Sequence, residues 1–143
     1  MTVADPVREA RPDDLARLRA IQTVVLAEPW PELLSVGVDG PPLCLVYADP
    51  DPTGSALAVA DDDAGYLAEL AVADGHRGEG QGSRLLEALV ENLRERGVET
   101  LRVTVRAVDE RARTFYESRG FEEHERLSDH YEDCDGLLLA RVL

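Results

Sequence analysis

Hydrophobic and polar positions along this chain repeat with two periods, one that favours helices and one that favours strands. Apolar side chains recur at helical spacing in residues 15–26 and again in residues 85–93. Residues 100–106 alternate between apolar and polar side chains, which is the period of a half-buried strand. Other apolar runs bounded by turn residues predict strands at 7–10, 43–48, 55–60, 66–72 and 136–142, with one more beginning at Phe121.

Capping and turn residues complete the predicted order of elements. Asp13 or Asp14 is expected to cap the first helix, and Pro31 to begin a short second one. A third helix is expected over 83–96, and Asp109 is expected to cap a last helix that ends at Gly120. The order β-α-α-β-β-β-α-β-α-β-β predicts an α/β fold (α+β mixed sheet) in a single domain, 1–143. Its central twisted sheet should be mostly antiparallel, with helices on both faces.

The net charge of the chain limits which classes of partner it can bind. The net charge is −14, and all 15 basic residues are arginine. Nucleic acid is therefore not an expected partner, because phosphate backbones need clustered basic side chains. An acidic surface of this kind is typical of a halophilic protein, since salt screens the self-repulsion. The alternative is an acidic surface that attracts a cationic substrate.

Other classes are disfavoured by what the sequence lacks. No apolar run approaches the roughly 20 residues that span a membrane, and no signal pattern opens the chain, so we expect a cytoplasmic protein. The two cysteines and three histidines show no metal-ligand spacing, so no metal site is expected.

A glycine-rich run, Arg77-Gly78-Glu79-Gly80-Gln81-Gly82, separates a predicted strand from a predicted helix. Glycines at alternate positions allow a tight bend with no Cβ in the way, and the N–H groups of a helix start can hold an anion. A Walker A loop is excluded because the chain has no lysine. A dinucleotide fingerprint is disfavoured because Ser83 stands where its third glycine is sought. The run therefore predicts a phosphate-bearing ligand, with a ligand-free turn as the alternative.

With these motifs the chain resembles the GCN5-related N-acetyltransferase (GNAT) superfamily over nearly its whole length. The Q/R-x-x-G-x-G/A loop of the superfamily is matched by Arg77, Gly80 and Gly82, and the strand before it by Leu70-Ala71-Val72. A second hallmark, Tyr-Glu-x-x-Gly-Phe, is matched by residues 116–121. The resemblance implies the GNAT fold and transfer of an acetyl group from acetyl-CoA, as co-substrate, to an amine.

The C-terminal half is most similar to the ribosomal-protein alanine N-acetyltransferase branch. Residues 103–107 lead to Asp109, where that branch usually has Asn, and the triplet 129–131 stands where the branch has Asn-Tyr-Tyr. Two positions depart from the branch. Thr104 replaces its glutamate base, and His130 replaces the first of its substrate-gripping tyrosines. These departures bear on the acceptor rather than on the cofactor.

The resemblance assigns roles to particular residues. Tyr116 is the expected general acid, with a core tyrosine bonded to backbone as the alternative. The N–H groups of the strand at 70–72 should hold the carbonyl oxygen and pantetheine, and the loop should hold the pyrophosphate. Asp109 is included among the cofactor contacts, although a plain helix cap explains it too. The cofactor-binding positions are Leu70, Ala71, Val72, Arg77, Gly78, Glu79, Gly80, Gln81, Gly82, Ser83 and Asp109.

Glu69 is the first candidate for the general base, since a carboxylate in an apolar strand has a raised pKa. His130 is the second candidate, and water alone is the third. The segment around Trp30 is expected to form one wall of the acceptor site.

Three functions remain open at this point. The first is a protein N-terminal acetyltransferase, the second is an acetyltransferase for a small amine, and the third is a non-catalytic acyl-CoA-binding module. The acyl length and the oligomeric state, monomer or homodimer, also remain open.

Overall fold

The structure, a computed structural model, describes residues 5–26, 29–38, 43–76 and 78–143. The strands of this part of the chain are β1 (Val7–Glu9), β2 (Leu43–Ala48), β3 (Pro52–Ala60), β4 (Ala64–Val72), β5 (Thr100–Arg106), β6 (Glu122–Leu127) and β7 (Gly136–Val142). The α-helices are α1 (Leu15–Val25), α2 (Pro31–Gly37), α3 (Gln81–Glu95) and α4 (Glu110–Glu117). The predicted order of strands and helices is confirmed.

The strands are hydrogen-bonded in the order β1-β2-β3-β4-β5-β7-β6. Strand β2 runs antiparallel to both β1 and β3, and β7 runs antiparallel to both β5 and β6. Strands β4 and β5 are parallel, with Ala64–Leu67 in register with Thr100–Val103. The predicted mixed, mostly antiparallel sheet is therefore confirmed.

The chain divides into two compact units. The first consists of residues up to 59 together with 68–92, and the second of residues 60–67 and 93–143. A hydrophobic cluster forms the core of the first unit and includes Leu18, Ile21, Leu34, Val46, Leu57 and Ala71. In the second unit β5 buries Leu101, Val103 and Val105 and exposes Arg102, which is the alternation the sequence predicts.

Several boundaries differ from the predicted ones. Strand β3 begins at Pro52 rather than at Ser55, and its pairing extends this far because Thr53 O accepts the Ala73 N–H at 2.8 Å. Strand β4 begins at Ala64 rather than at Tyr66, and α3 begins at Gln81 rather than at Ser83. Each element is longer than predicted because backbone pairing continues into glycine-, proline- and aspartate-bearing positions that local propensity assigns to turns.

Some of the predicted helix caps are confirmed and one is wrong. Asp109 caps α4, since its Oδ1 accepts the Ala112 N–H at 3.0 Å. Gly97 and Gly120 have φ angles of +82° and +91° and follow α3 and α4 as predicted. The carboxylate of Asp14 makes no capping hydrogen bond to α1. It accepts the Arg11 N–H at 2.8 Å instead, across a 3-10 turn (Pro12–Asp14) that precedes the helix.

None of the helices in these ranges is long and apolar enough to cross a membrane.

Candidate functional site

The glycine-rich loop of the first unit joins β4 to α3. Gly78 and Gly80 adopt φ angles of +81° and +82°, a conformation that side chains other than glycine adopt only with strain. A Cβ added at either glycine would meet nothing within 4 Å. The backbone conformation, and not crowding by neighbours, therefore requires glycine here, and the space above the loop is open. The predicted contact at Arg77 lies outside the described residues.

Helix α3 turns its N-terminus toward the end of this loop. Its ladder begins with the Arg84 N–H, which donates to Gly80 O at 3.0 Å. The backbone N–H groups of the first helical turn, such as those of Gln81 and Gly82, precede this ladder. The 15-residue length of α3 also gives its N-terminus a positive partial charge. This combination can hold a phosphate group through backbone N–H groups alone.

The side chain of Gln81 has a structural partner. It is buried, and its Oε1 accepts the Thr53 hydroxyl at 2.8 Å. Its Nε2 lies 3.5 Å from Nδ1 of His76, which in turn lies 3.1 Å from Oε1 of Glu79. Gln81 therefore anchors the start of α3 to β3. Because its side chain is used in this way, the group of Gln81 that can contact a ligand is its backbone N–H.

The β3 strand comes close to this anchor. A Cβ on Gly54 would lie 3.1 Å from Ala71 O and 3.4 Å from Gln81 Oε1, so a side chain there would force these neighbours to move by a few tenths of an ångström. Sequence analysis placed Thr53 and Gly54 in a turn and missed both contacts. No spacing signal marks them, because the contact is made by residues far apart in the chain.

Glu69 lies on β4, directly before the segment Leu70-Ala71-Val72, and is half-buried. Its Oε1 accepts a hydrogen bond from Gln22 Nε2 at 2.7 Å, and its Oε2 accepts one from the Trp30 backbone N–H at 2.6 Å. Burial raises the pKa of the Glu69 carboxyl, while these two donors oppose the rise. A carboxyl group whose pKa is raised is a stronger proton acceptor than an ordinary carboxylate and is a candidate general base.

Tyr116 lies at the C-terminal end of α4 in the second unit and is 7% exposed. Its ring packs edge-to-face on Phe115 and Phe121, with ring centroids 5.1 and 5.3 Å away. Burial, and then the negative charge of Asp109, hold the pKa of the Tyr116 phenol far above its ordinary value of 10.0. The phenol therefore keeps its proton at neutral pH.

The loop between β6 and β7 carries His130 and Tyr131. Their rings meet edge-to-face at 4.8 Å, and the Arg106 guanidinium lies 5.1 Å from the centre of the Tyr131 ring. Arg106 also forms an ion pair with Asp133. His130 packs against Gly136, where an added Cβ would lie 3.1 Å from the imidazole. The loop is thus fixed by its own side chains, and His130 itself is exposed.

The predicted site residues fall into two sets, one in each compact unit. Glu69, the segment 70–72 and the glycine-rich loop belong to the first unit, and Tyr116 and Asp109 belong to the second. Gln22 is a site neighbour that the sequence analysis placed only in the apolar stripe of α1. A polar residue in that stripe was the available signal. No group of three or more metal-ligating side chains occurs in the residues that the structure describes.

Comparison with known proteins identifies the family of this chain. The profile of the Acetyltransferase (GNAT) family matches residues 9–121. A [ribosomal protein bS18]-alanine N-acetyltransferase of Salmonella typhimurium is 32% identical over 125 residues, which is 86% of this chain and 84% of that protein. The Escherichia coli protein of the same name is 39% identical over 74 residues, a match that spans about half the length of that relative (50%).

Solved structures share the fold. The crystal structure of the ribosomal-protein-S18-alanine N-acetyltransferase from Escherichia coli has a TM-score of 0.85 and 27% identity, covering 95% of this chain and 92% of that one. A structure of NAA60 from Arabidopsis thaliana in complex with acetyl-CoA has a TM-score of 0.84 at 18% identity, covering 96% and 98%. The likeness to the second structure concerns the fold alone. On the family match and the relative from Salmonella, this chain belongs to the acetyltransferase (GNAT) family.

Proposed function

We propose that this chain transfers an acetyl group from acetyl-CoA to a primary amine, and that the amine is the N-terminal α-amine of a protein. One observation carries the cofactor part of this proposal. The positive φ angles of Gly78 and Gly80 shape the loop directly before the N-terminus of α3, and a helix N-terminus can hold a pyrophosphate through backbone N–H groups. Family membership and the curated relatives support an acetyl-CoA-dependent N-acetyltransferase.

Acetyl-CoA would supply an activated acyl group in the form of its thioester. The loop Gly78-Glu79-Gly80-Gln81-Gly82-Ser83 would hold the diphosphate, with Arg77 beside it. The N–H groups of Leu70, Ala71 and Val72 would bind the pantetheine and the thioester oxygen, in the manner of an oxyanion hole. Asp109 remains a proposed neighbour of the cofactor. Its carboxylate is occupied in capping α4, so any contact would use its free oxygen or its backbone.

Glu69 would act as the general base. An amine must lose its proton before it attacks a carbonyl carbon, and a carboxylate with a raised pKa is suited to accept that proton. The neutral nitrogen would bond to the acetyl carbon, and the carbon–sulfur bond would then break to release the thiolate. An α-amine, with a pKa of roughly 7.7–8.0, needs less help than a lysine amine at roughly 10.4. Glu69 can therefore serve although Thr104 occupies the position of the glutamate in the branch.

Tyr116 would act as the general acid. Its phenol keeps its proton at neutral pH and can donate it to the leaving thiolate, whose conjugate acid has a pKa of roughly 8.5. Phe115 and Phe121 fix the ring, so the hydroxyl has a defined direction.

The acceptor would approach Glu69 beside Trp30. Trp30 is 53% exposed, and its backbone N–H is bonded to the Glu69 carboxylate. This exposed aromatic residue contacts the proposed base through its backbone, and its ring would form one wall of the acceptor site.

A small-molecule amine is the second candidate acceptor. Thr104 and His130 replace two residues that the peptide-acetylating branch uses, and His130 packs against Gly136.

The acidic composition, with a net charge of −14 and no lysine, supports a halophilic protein that works in concentrated salt.

A panel of acceptors incubated with acetyl-CoA in concentrated KCl tests the proposal, with products read by mass spectrometry. The panel contains an alanine-starting peptide, the same peptide with its α-amine blocked, a set of amino acids and a polyamine. We expect acetylation of the free peptide and none of the blocked one. Transfer only to small amines would favour the second candidate. Bound coenzyme A with no transfer to any acceptor would overturn the proposal in favour of a binding module.

A further inference from the structure

Gln22 is a buried polar side chain in an apolar surrounding. It lies in α1 beside Ile21, its residue is 3% exposed, and it belongs to the face that contributes Leu18 to the core. A buried amide without partners is costly, and this one directs its Nε2 to Glu69 Oε1 at 2.7 Å, a short bond typical of a charged acceptor. The amide is therefore placed to interact with that carboxylate.

Each of the two oxygens of Glu69 accepts a hydrogen bond from a different donor. Gln22 on α1 holds one oxygen, and the Trp30 N–H, directly before α2, holds the other at 2.6 Å. With one donor on each oxygen, rotation of the carboxylate about its terminal torsion breaks a hydrogen bond. Both donors also favour the ionised form over the protonated form.

Among the residues that the structure describes in the first unit, few other charges act on this carboxylate. The Cys44 thiol on β2 is electrostatically coupled to it, and burial, followed by Asp14 and Glu69, raises the pKa of that thiol to about 12. Cys44 is thus neutral over the working range. The Asp14 carboxylate is paired with Arg8 at 2.8 Å. The hydrogen bonds from Gln22 and Trp30 are therefore the adjustable influences on the ionisation of Glu69.

We propose that Gln22 is a positioning residue, which fixes the orientation of the Glu69 carboxylate and keeps it ionised for proton transfer. This inference rests on the proposed function of Glu69 as the general base. Gln22 touches no reacting atom and acts through Glu69.

The kinetic test compares wild type with Gln22→Met, which keeps the shape and removes the donor. Loss of a donor to the ionised form raises the pKa of Glu69 further, so the acid limb of the kcat/KM profile should move to higher pH. At about pH 6 kcat/KM should fall by about tenfold, while the affinity for coenzyme A stays unchanged. The titration of the acceptor amine is common to both proteins and cancels in the comparison.

Thr23→Ala is the matched control. Thr23 is the next residue of α1, is exposed, and bonds to Arg19 O at 2.9 Å. This substitution changes a side chain of the same helix without touching Glu69, so the pH profile should keep the wild-type position. A shift of equal size in Thr23→Ala would reduce Gln22 to a structural residue and overturn the inference.

A double-mutant cycle and a direct titration separate this inference from the proposed function. In a Glu69→Gln background, Gln22→Met should cause no further loss of kcat. The ¹³C resonance of the Glu69 carboxyl should titrate at higher pH in Gln22→Met than in wild type, whether or not the chain is active. If wild type transfers no acetyl group, the proposed function fails. If wild type is active but neither the limb nor the resonance moves, the positioning role fails.

Gln22→Glu keeps the test available if the methionine variant does not fold. A second carboxyl at hydrogen-bond distance from Glu69 would share a proton with it, so the apparent pKa values of the pair should separate and one should rise. The acid limb should then move further than in Gln22→Met. An unmoved limb in a folded Gln22→Glu protein would contradict the inference.

Discussion

The backbone N–H of Trp30 donates a hydrogen bond of 2.6 Å to the Glu69 carboxylate. The two residues lie 39 positions apart, and the bond ties the start of α2 to β4. Because burial raises the pKa of this carboxyl, its ionisation should control both the reaction and the stability of the first unit.

Replacing Glu69 with glutamine should slow acetyl transfer by about 10²–10⁴-fold, since a general base contributes about that much. Glutamine keeps the size of the side chain but cannot accept the proton. The affinity for coenzyme A, measured by calorimetry, should change little. An unchanged kcat would remove Glu69 from the mechanism and leave His130 or water as the base.

The same substitution should change how stability depends on pH. The pKa of Glu69 is higher in the folded chain than its ordinary value of 4.5, so its stabilising contribution is complete at low pH. That contribution is lost as the pH rises through the folded pKa. The unfolding free energy of wild type minus that of Glu69→Gln, measured by urea titration, should fall from acidic to neutral pH. A difference that grows over this range would contradict the raised pKa.

Asp14 should show the opposite sign. Arg8 donates hydrogen bonds to its two oxygens at 2.8 and 3.0 Å, and the pair holds the pKa of Asp14 below its ordinary value of 3.8. Its stabilisation is present at neutral pH and is lost as the pH falls through the folded pKa. Asp14→Asn should cost about 2 kcal/mol at neutral pH and less in acid. The exposed neighbour Asp13, changed to Asn, should cost less than about 0.5 kcal/mol in the same urea titrations.

Comparison of the predicted with the observed elements shows which features sequence patterns predict and which they do not. Among the described residues, the hydrophobic periods predicted the elements that bury a face of their own, whereas the exposed strand β6 was predicted only from its start at Phe121. The glycine-rich loop was also predictable. Gly78 and Gly80 adopt positive φ angles, and a residue's own lack of a Cβ, which is visible in the sequence, permits them. Asp14, expected to cap a helix, pairs with Arg8 instead. The local sequence around Asp14 predicts a helix cap, but it does not reveal that Arg8 of β1 lies close enough to bind the same carboxylate.

The neighbours of Glu69 were hidden for the same reason. Gln22 lies 47 residues from Glu69, and the bond between them exists only once α1 packs in the first unit. The buried role of Gln81 depends likewise on Thr53, 28 residues away. Long-range hydrogen bonds leave no periodic signal, so the acceptor-side chemistry could not be predicted from the sequence.

Changing Tyr116 to phenylalanine should reduce kcat by about 10²-fold while the affinity for coenzyme A is kept. Phenylalanine preserves the packing on Phe115 and Phe121 and removes the proton that the leaving thiolate needs. Tyr47→Phe, on β2, removes a phenol that has no proposed role and should leave kcat unchanged. Equal rates for wild type and Tyr116→Phe would exclude the tyrosine as general acid.

Salt should stabilise this chain strongly. A net charge of −14 repels itself at low ionic strength, and KCl screens that repulsion. The Tm should therefore rise with KCl concentration. Changing the exposed Glu122, Glu123 and Glu125 of β6 to glutamine removes three charges and brings the net charge from −14 to −11. This variant should have a smaller salt dependence of Tm, and an equal or steeper one would contradict the charge-repulsion account.

Calorimetric titration of coenzyme A, in concentrated KCl, into wild type, Gly80→Ala and Gly97→Ala tests the role of the glycine-rich loop most directly. Both glycines have φ of +82°, and neither has a neighbour within 4 Å of an added Cβ, so both variants bear the same backbone strain of about 1–2 kcal/mol. We predict that wild type binds coenzyme A, that Gly80→Ala binds about tenfold more weakly, and that Gly97→Ala binds as wild type does. The absence of binding heat with wild type, or equal affinities for wild type and Gly80→Ala, would contradict the claim that this loop holds the cofactor.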